Sequence, residues 1–315
     1  MIAKKVLSFA LATAVWALTV SGAAAQNILI KSGPQGGVWY PVSAGIAGVL
    51  TDKAKMTVTV QTGGGVSNAV TVARNEGQLG FTTSGAAKQV YAGLTGKPPE
   101  KDLRLFGRLY NQYFTFNVPA DSPIKSIKDL RGRKLVTQRK GSSTEQITRE
   151  VLEVNGLKYD DLAKVNFPGT MTDAVNQVKD RQVDGFATTI AHPASYLMEL
   201  AAGMETRIVP LDEATIAKLV KDYVGYSRIT LKAGTYPWLK QDVPTANSPV
   251  VLVTNAKVPD EVVYNMLKVL FENSATLVNV HEVMKSFVPE NAAADPVIPM
   301  HPGALRYYQQ VGAVK

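Results

Sequence analysis

Three short segments carry the side chains best suited to chemistry. They are Ser67-Asn68 after the triple glycine at 63–65, Thr83-Ser84 after an apolar strand signal, and Ser142-Ser143-Thr144 after Arg139-Lys140-Gly141. Each places small hydroxyl or amide side chains where a helix begins. Such side chains accept hydrogen bonds from first-turn N–H groups, and the unpaired N–H groups beside them attract anions. The segment 142–144 makes the best carboxylate cradle, since hydroxyls and helix N–H groups converge there and Arg139 can add charge. Tyr40 ends a glycine-rich loop running from Ser32 to Pro41 and could bond a carboxylate through its hydroxyl. Thr170, just after Pro168-Gly169, and His192, just before Pro193, complete the candidate ligand contacts. Every one of them also has a purely structural role available: N-capping for the hydroxyls and Asn68, hinge packing for Tyr40, burial for His192. Trp39 reads as core.

Catalysis finds little support. His192, His281 and His301 lack metal-ligand spacing. There is no G-x-S-x-G elbow, Walker loop or G-x-G-x-x-G, and no carboxylate pair stands out. The chain reads as a binder rather than an enzyme, with no cofactor or metal implied. Its net charge is +8. The densest basic clusters, Arg131-Gly132-Arg133-Lys134 and Arg139-Lys140, have no interleaved aromatics, which argues against nucleic acid and fits a solvated face that helps capture an anion.

The elements that must position these residues follow a leader. Lys4-Lys5, an apolar run over 6–20 and Ala23-Ala24-Ala25 form a secretory signal peptide cleaved after Ala25. The remainder, about 290 residues, exceeds one ordinary domain and suggests two lobes. Without cysteine, neither a disulfide nor a lipid anchor at the cleavage site is possible. A free periplasmic monomer is expected.

Strand and helix signals alternate: strands at 28–30, 57–61 and 77–82, helices at 43–50 and 67–75, then short strands at 103–109 and 114–118. This order predicts a parallel sheet with helices on both faces. After a loop at 119–123 the pattern restarts: a strand at 134–137, a helix capped by Ser143 with Gln146 three residues on, a strand at 165–167, a helix capped by Thr170 with Asp173, and a strand at 183–187. Ser248 to Val253 reads as the return crossing, followed by one long helix over 260–279. The predicted lobes are 26–117 with 248–315, and 118–247, hinged near Phe116–Val118 and Val250–Val253. Ligands in such sheets sit beyond the carboxyl ends of the strands, so the expected site is the cleft between lobes.

Taken together, Gly36-Gly37-Val38-Trp39-Tyr40-Pro41, Thr62-Gly63-Gly64-Gly65-Val66-Ser67-Asn68, Gly77-Gln78-Leu79-Gly80-Phe81, Gly141-Ser142-Ser143-Thr144-Glu145 and Val183-Asp184-Gly185-Phe186-Ala187 resemble the TAXI-type solute-binding proteins of tripartite ATP-independent periplasmic (TRAP) transporters. The resemblance spans essentially the whole chain after the leader. It implies an α/β bilobal periplasmic-binding-protein fold, two lobes joined by crossing hinge strands, and a ligand in the interlobe cleft handed to a membrane permease. It implies a small organic anion as ligand, a glutamate-like amino acid or a dicarboxylate. The family's third loop usually reads Gly-Ser-Gly-Thr; here it is Gly141-Ser142-Ser143-Thr144, preceded by Arg139-Lys140 where small residues are common. A periplasmic sensor for a signalling partner and a binder of a neutral heterocycle stay open beside it.

Overall fold

The computed structural model describes residues 27–93 and 96–315; the leader expected over 1–25 lies outside them. The chain enters through β1 (Asn27–Lys31), α1 (Trp39–Ala54), β2 (Thr57–Gln61), α2 (Gly65–Ala73), β3 (Leu79–Thr83), α3 (Ser84–Ala92) and β4 (Leu103–Tyr110). It continues through β5 (Tyr113–Pro119), β6 (Lys134–Val136), α4 (Ser143–Val154), β7 (Lys164–Asn166), α5 (Met171–Lys179), β8 (Gly185–Ile190) and α6 (Ser195–Gly203). Next come β9 (Thr206–Val209), α7 (Glu213–Asp222), β10 (Ser227–Leu231) and β11 (Val243–Asn247). The last elements are β12 (Val250–Asn255), α8 (Asp260–Glu272), α9 (Ser274–Val280), α10 (Pro289–Ala293) and α11 (Pro302–Gln310). None of the described helices is long and apolar enough to cross a membrane.

Two sheets result, giving an α/β bilobal fold. The first has the order β2-β1-β3-β12-β4, and the second β10-β11-β5-β8-β6-β7, with β9 also on β5. Both are mixed, not parallel as the alternating pattern predicts. β1, β2 and β3 run parallel, as do β6, β7 and β8, but β12 returns from the second sheet and enters the first antiparallel to β3 and β4. The repeated unit is nevertheless plain. In each sheet the first parallel strand lies between the next two (β2-β1-β3 and β7-β6-β8), so the loops after β1 and after β6 sit at a switch point of strand order.

Each sheet is covered on both faces. Along β12, Val250 and Leu252 face the cluster holding α1 and α8, while Val251 and Val253 face the one holding α2 and α3. Burial on both sides explains why this strand is apolar throughout rather than alternating. In the second sheet, Phe114, Phe116 and Val118 of β5 pack with α4 and α7, whereas Phe186 of β8 packs with α5 and α6.

The chain passes between sheets at 111–112 and 248–249. β5 pairs along its length within the second sheet, so its residues 113–117 belong with that sheet and not with the first lobe, where the sequence reading put them. The expected hinge segments 116–118 and 250–253 are both regular strand; the connecting residues lie just before each. The two passages run side by side: Ser248 N–H donates to the Gln112 carbonyl at 2.8 Å, and the Asn247 amide to Asn111 Oδ1 at 3.0 Å.

Three element boundaries matter for the site. α1 begins at Trp39 instead of Ser43, because Pro41 is well placed in a first turn, where its missing N–H costs nothing. β8 runs on to Ile190. The helix expected over 260–279 is interrupted at Asn273.

Candidate functional site

A cavity of about 60 Å³ lies between the lobes. Its walls are the loops after β1 and β2 on one side and those after β6 and β7, with the end of β8, on the other. The N-termini of α1, α2, α4 and α5 all reach it, through Trp39, Gly65, Ser143 and Met171. This is what the two switch points, facing each other, should produce.

The first-lobe wall is mostly backbone. α2 is capped by Gly64, which has no side chain to satisfy the first-turn N–H groups. Asn68, which the sequence offers as a ligand contact, is fully buried and committed elsewhere. Its Nδ2 donates to the Ser32 and Phe81 carbonyls at 2.8 Å, and its Oδ1 accepts from Gly64 N–H at 3.1 Å. Asn68 thus ties the ends of β1 and β3 to the glycine turn. Ser67 is exposed, donates to the Gly64 carbonyl at 2.9 Å and does not line the cavity.

The second-lobe wall carries the side chains. Gly141, at a φ of 81°, turns the chain into α4. The N-cap is Ser142, whose hydroxyl accepts from Glu145 N–H at 3.1 Å; the spacing had suggested Ser143. The one-residue shift frees the Ser143 hydroxyl, which is buried without a hydrogen-bond partner in the cavity wall. Thr189 Oγ1, at the end of β8, is likewise buried, unpartnered and in the wall. Thr144 lines the cavity, and so does Thr170, whose hydroxyl caps α5 by accepting from Asp173 N–H at 3.1 Å.

Arg139 spans the cleft, its guanidinium donating to the Gly63 carbonyl of the opposite lobe. Lys140 is exposed and directed over the Phe167 ring, 5.1 Å from its centroid. Arg139 is therefore the one ionisable side chain of the lining among the described residues. Apolar surface completes it: Val38, Trp39, Pro168, Met171 and Ile190.

Of the residues singled out from sequence, the cleft brings together Arg139, Ser142, Ser143, Thr144 and Thr170. Tyr40, Ser67, Asn68, Thr83, Ser84 and His192 are not among its walls. Tyr40 belongs to the first turn of α1, and the helical rotation aims Trp39, not Tyr40, at the cavity. Thr83 caps α3 by accepting from Ala86 N–H, and Ser84 N–H donates to the Pro249 carbonyl beside the crossing. His192 Nδ1 lies 2.6 Å from the Tyr236 hydroxyl, its ring edge-on to Tyr113 and Tyr236. The same tyrosine oxygen accepts from Ala194 N–H, and His192 Nε2 is buried without a partner. Burial lowers the His192 pKa from 6.5 to about 4 and keeps it neutral.

Trp39, Gln112, Gln138, Met171, Thr189 and Ile190 line the cavity and escaped the sequence reading. The Thr188-Thr189 pair was the available signal, because polar residues ending a buried strand at its carboxyl end face the loops.

A second contact joins the lobes away from the cavity. Gln89 of α3 donates to Glu150 of α4, a fully buried carboxyl that also accepts from Tyr226 at 2.5 Å and Gln146 at 3.1 Å. Burial raises the Glu150 pKa, partly offset by Tyr226, Gln146, Arg149 and Gln89.

Solved structures share this architecture. A protein from Bordetella bronchiseptica RB50 matches with a TM-score of 0.53 at 16% identity, over 92% of this chain and 89% of its own. One from Xanthomonas citri, bound to chloride, gives 0.52 at 14%, over 91% and 96%. A putative L-cystine ABC transporter from Listeria monocytogenes gives 0.51 at 16%, over 82% and 94%. At such identities the likeness shows the fold, that of the bilobal periplasmic binding proteins. The model of the NMT1-like family matches residues 30–312, which takes in every residue of the cavity wall and both sheets apart from the first three residues of β1, and the chain belongs to that family.

Proposed function

We propose that the chain is the extracytoplasmic solute-binding subunit of a TRAP-type secondary transporter, which captures a small organic anion by lobe closure and delivers it to a membrane permease. One observation carries this reading: the unprotected N-terminus of α2 and the Ser142–Thr144 start of α4 face one cavity from opposite lobes, with Arg139 bridging them. An anion between them gains hydrogen bonds from both lobes only when these meet, which is the differential affinity that closure requires. The leader-like segment 1–25 supports an extracytoplasmic location, and the resemblance to TAXI-type proteins supports the TRAP assignment.

Thermal unfolding of the mature chain with a panel of carboxylates, sulfonates and neutral heterocycles tests the capture step. A ligand at 100 times its Kd should add about 2.7 kcal/mol. Stabilisation by heterocycles alone would sink the anion reading. Delivery is tested in proteoliposomes holding the cognate permease. Uptake driven by an ion gradient without ATP is expected; uptake that needs ATP hydrolysis would replace the TRAP assignment with an ABC-type one.

A further inference from the structure

The cavity is lined unevenly in charge. Among the described residues it presents one cation, Arg139, and no carboxylate. Glu145, the nearest acid in sequence to the cradle, is turned to the Tyr159 hydroxyl at 3.1 Å and to Arg149 at 3.9 Å. Lys140, the neighbouring cation, is occupied over Phe167. A ligand ammonium would lose its water here and find no counter-charge, and burying an unpaired charge is strongly unfavourable. A second carboxylate on the ligand would likewise lack a second cation.

Polar groups are distributed to match a single head group. Ser143 and Thr189 are only 6% and 4% exposed, their hydroxyls are buried and unpartnered in the wall, and the uncapped start of α2 adds N–H donors. Trp39, Met171 and Ile190 add a short apolar surface.

We infer that the ligand is a small monoanion: one oxyanion head held by Ser143, Thr189 and the helix N-termini, an apolar body, and no ammonium group. This class rests on the anion-capture reading above and narrows it, away from the glutamate-like amino acids and dicarboxylates that the family resemblance implies. A short-chain carboxylate and a short alkylsulfonate share this chemistry.

Isothermal titration of the mature chain separates the possibilities. The probes are propionate and ethanesulfonate, their ammonium-bearing counterparts L-alanine and taurine, and succinate and L-glutamate. Propionate or ethanesulfonate should bind at least 100-fold more tightly than its ammonium-bearing counterpart, and more tightly than either larger acid. The stronger of the two identifies a planar or a tetrahedral head. Ser143→Ala should weaken the preferred probe about tenfold, as loss of one hydrogen bond to a charged group does. Tighter binding of L-glutamate or succinate would overturn the monoanion class while leaving anion capture intact. Binding of none of the six would overturn both.

Discussion

Ser143 Oγ lies directly against Gly65 across the cleft. A Cβ built on Gly65 would overlap that hydroxyl and stand 3.0 Å from the Ser143 Cβ and 3.3 Å from its amide nitrogen. The hydroxyl can rotate away; the Cβ and the backbone cannot. Because Gly65 is the first residue of α2 and keeps a negative φ, alanine suits its backbone.

Gly65→Ala should therefore separate folding from binding. Stability should hold or rise by up to about 1 kcal/mol, the alanine-over-glycine helix preference. Affinity for whichever anion the native chain binds should fall at least tenfold, since closure stops a few tenths of an ångström short. Denaturation and titration on the same preparation decide it. Unchanged affinity would mean that the closed contact plays no part in capture.

Asn68 offers the converse case. Its side chain joins the ends of β1 and β3 to the Gly64 turn, wholly inside the first lobe. Asn68→Ala leaves buried carbonyls and one N–H unpaired, each worth about 1–3 kcal/mol. A loss of about 3 kcal/mol in urea denaturation is expected. Asn68→Asp should be worse, because a carboxylate would face the Ser32 and Phe81 carbonyls. An alanine variant within about 0.5 kcal/mol of the native chain would contradict this role.

These two positions show what could be read from sequence. The alternation of strands and helices, the apolar β12 and the Thr170 cap follow from local patterns, and they are enough for two α/β lobes with loops meeting at a cleft. Whether Asn68 touches ligand or holds strand ends depends on the carbonyls of β1 and β3, which only tertiary structure brings near. Tyr40 and Trp39 exchanged places because a start four residues earlier rotates α1. Ser143 went from cap to cavity because the cap is one residue earlier, a shift that two adjacent serines hide. The antiparallel entry of β12 was equally hidden, since strand direction is fixed by a partner far along the chain.

His192 predicts acid sensitivity. Burial pushes its pKa down from 6.5 to about 4, so the folded state prefers the neutral ring. A depressed folded pKa gives stability that is complete above about 6.5 and is lost as pH falls toward 4, amounting to no more than about 3 kcal/mol. The physical origin is burial: the charged ring would have to give up its water, with Nε2 buried and unpartnered. His192→Phe should lose less stability than the native chain between pH 7 and pH 4.5. An NMR titration showing His192 ionising near 6.5 would remove the basis for this.

Glu150 predicts the opposite slope. Its pKa is raised, mainly by burial, against hydrogen bonds from Tyr226, Gln146 and Gln89 and the attraction of Arg149. A raised folded pKa gives stability that is complete below the unfolded value, near 4.5, and is lost as pH climbs through the folded one. Glu150→Gln keeps the shape and cannot ionise. The variant should match the native chain near pH 4 and gain on it toward pH 8, by about 1.4 kcal/mol for each unit of pKa shift. The hydrogen bond from Gln89 of the other lobe strengthens when Glu150 ionises, so it opposes this loss without reversing it. Parallel stability curves across that range would show that Glu150 carries its charge at no cost, as it could do only if water reached it between the lobes.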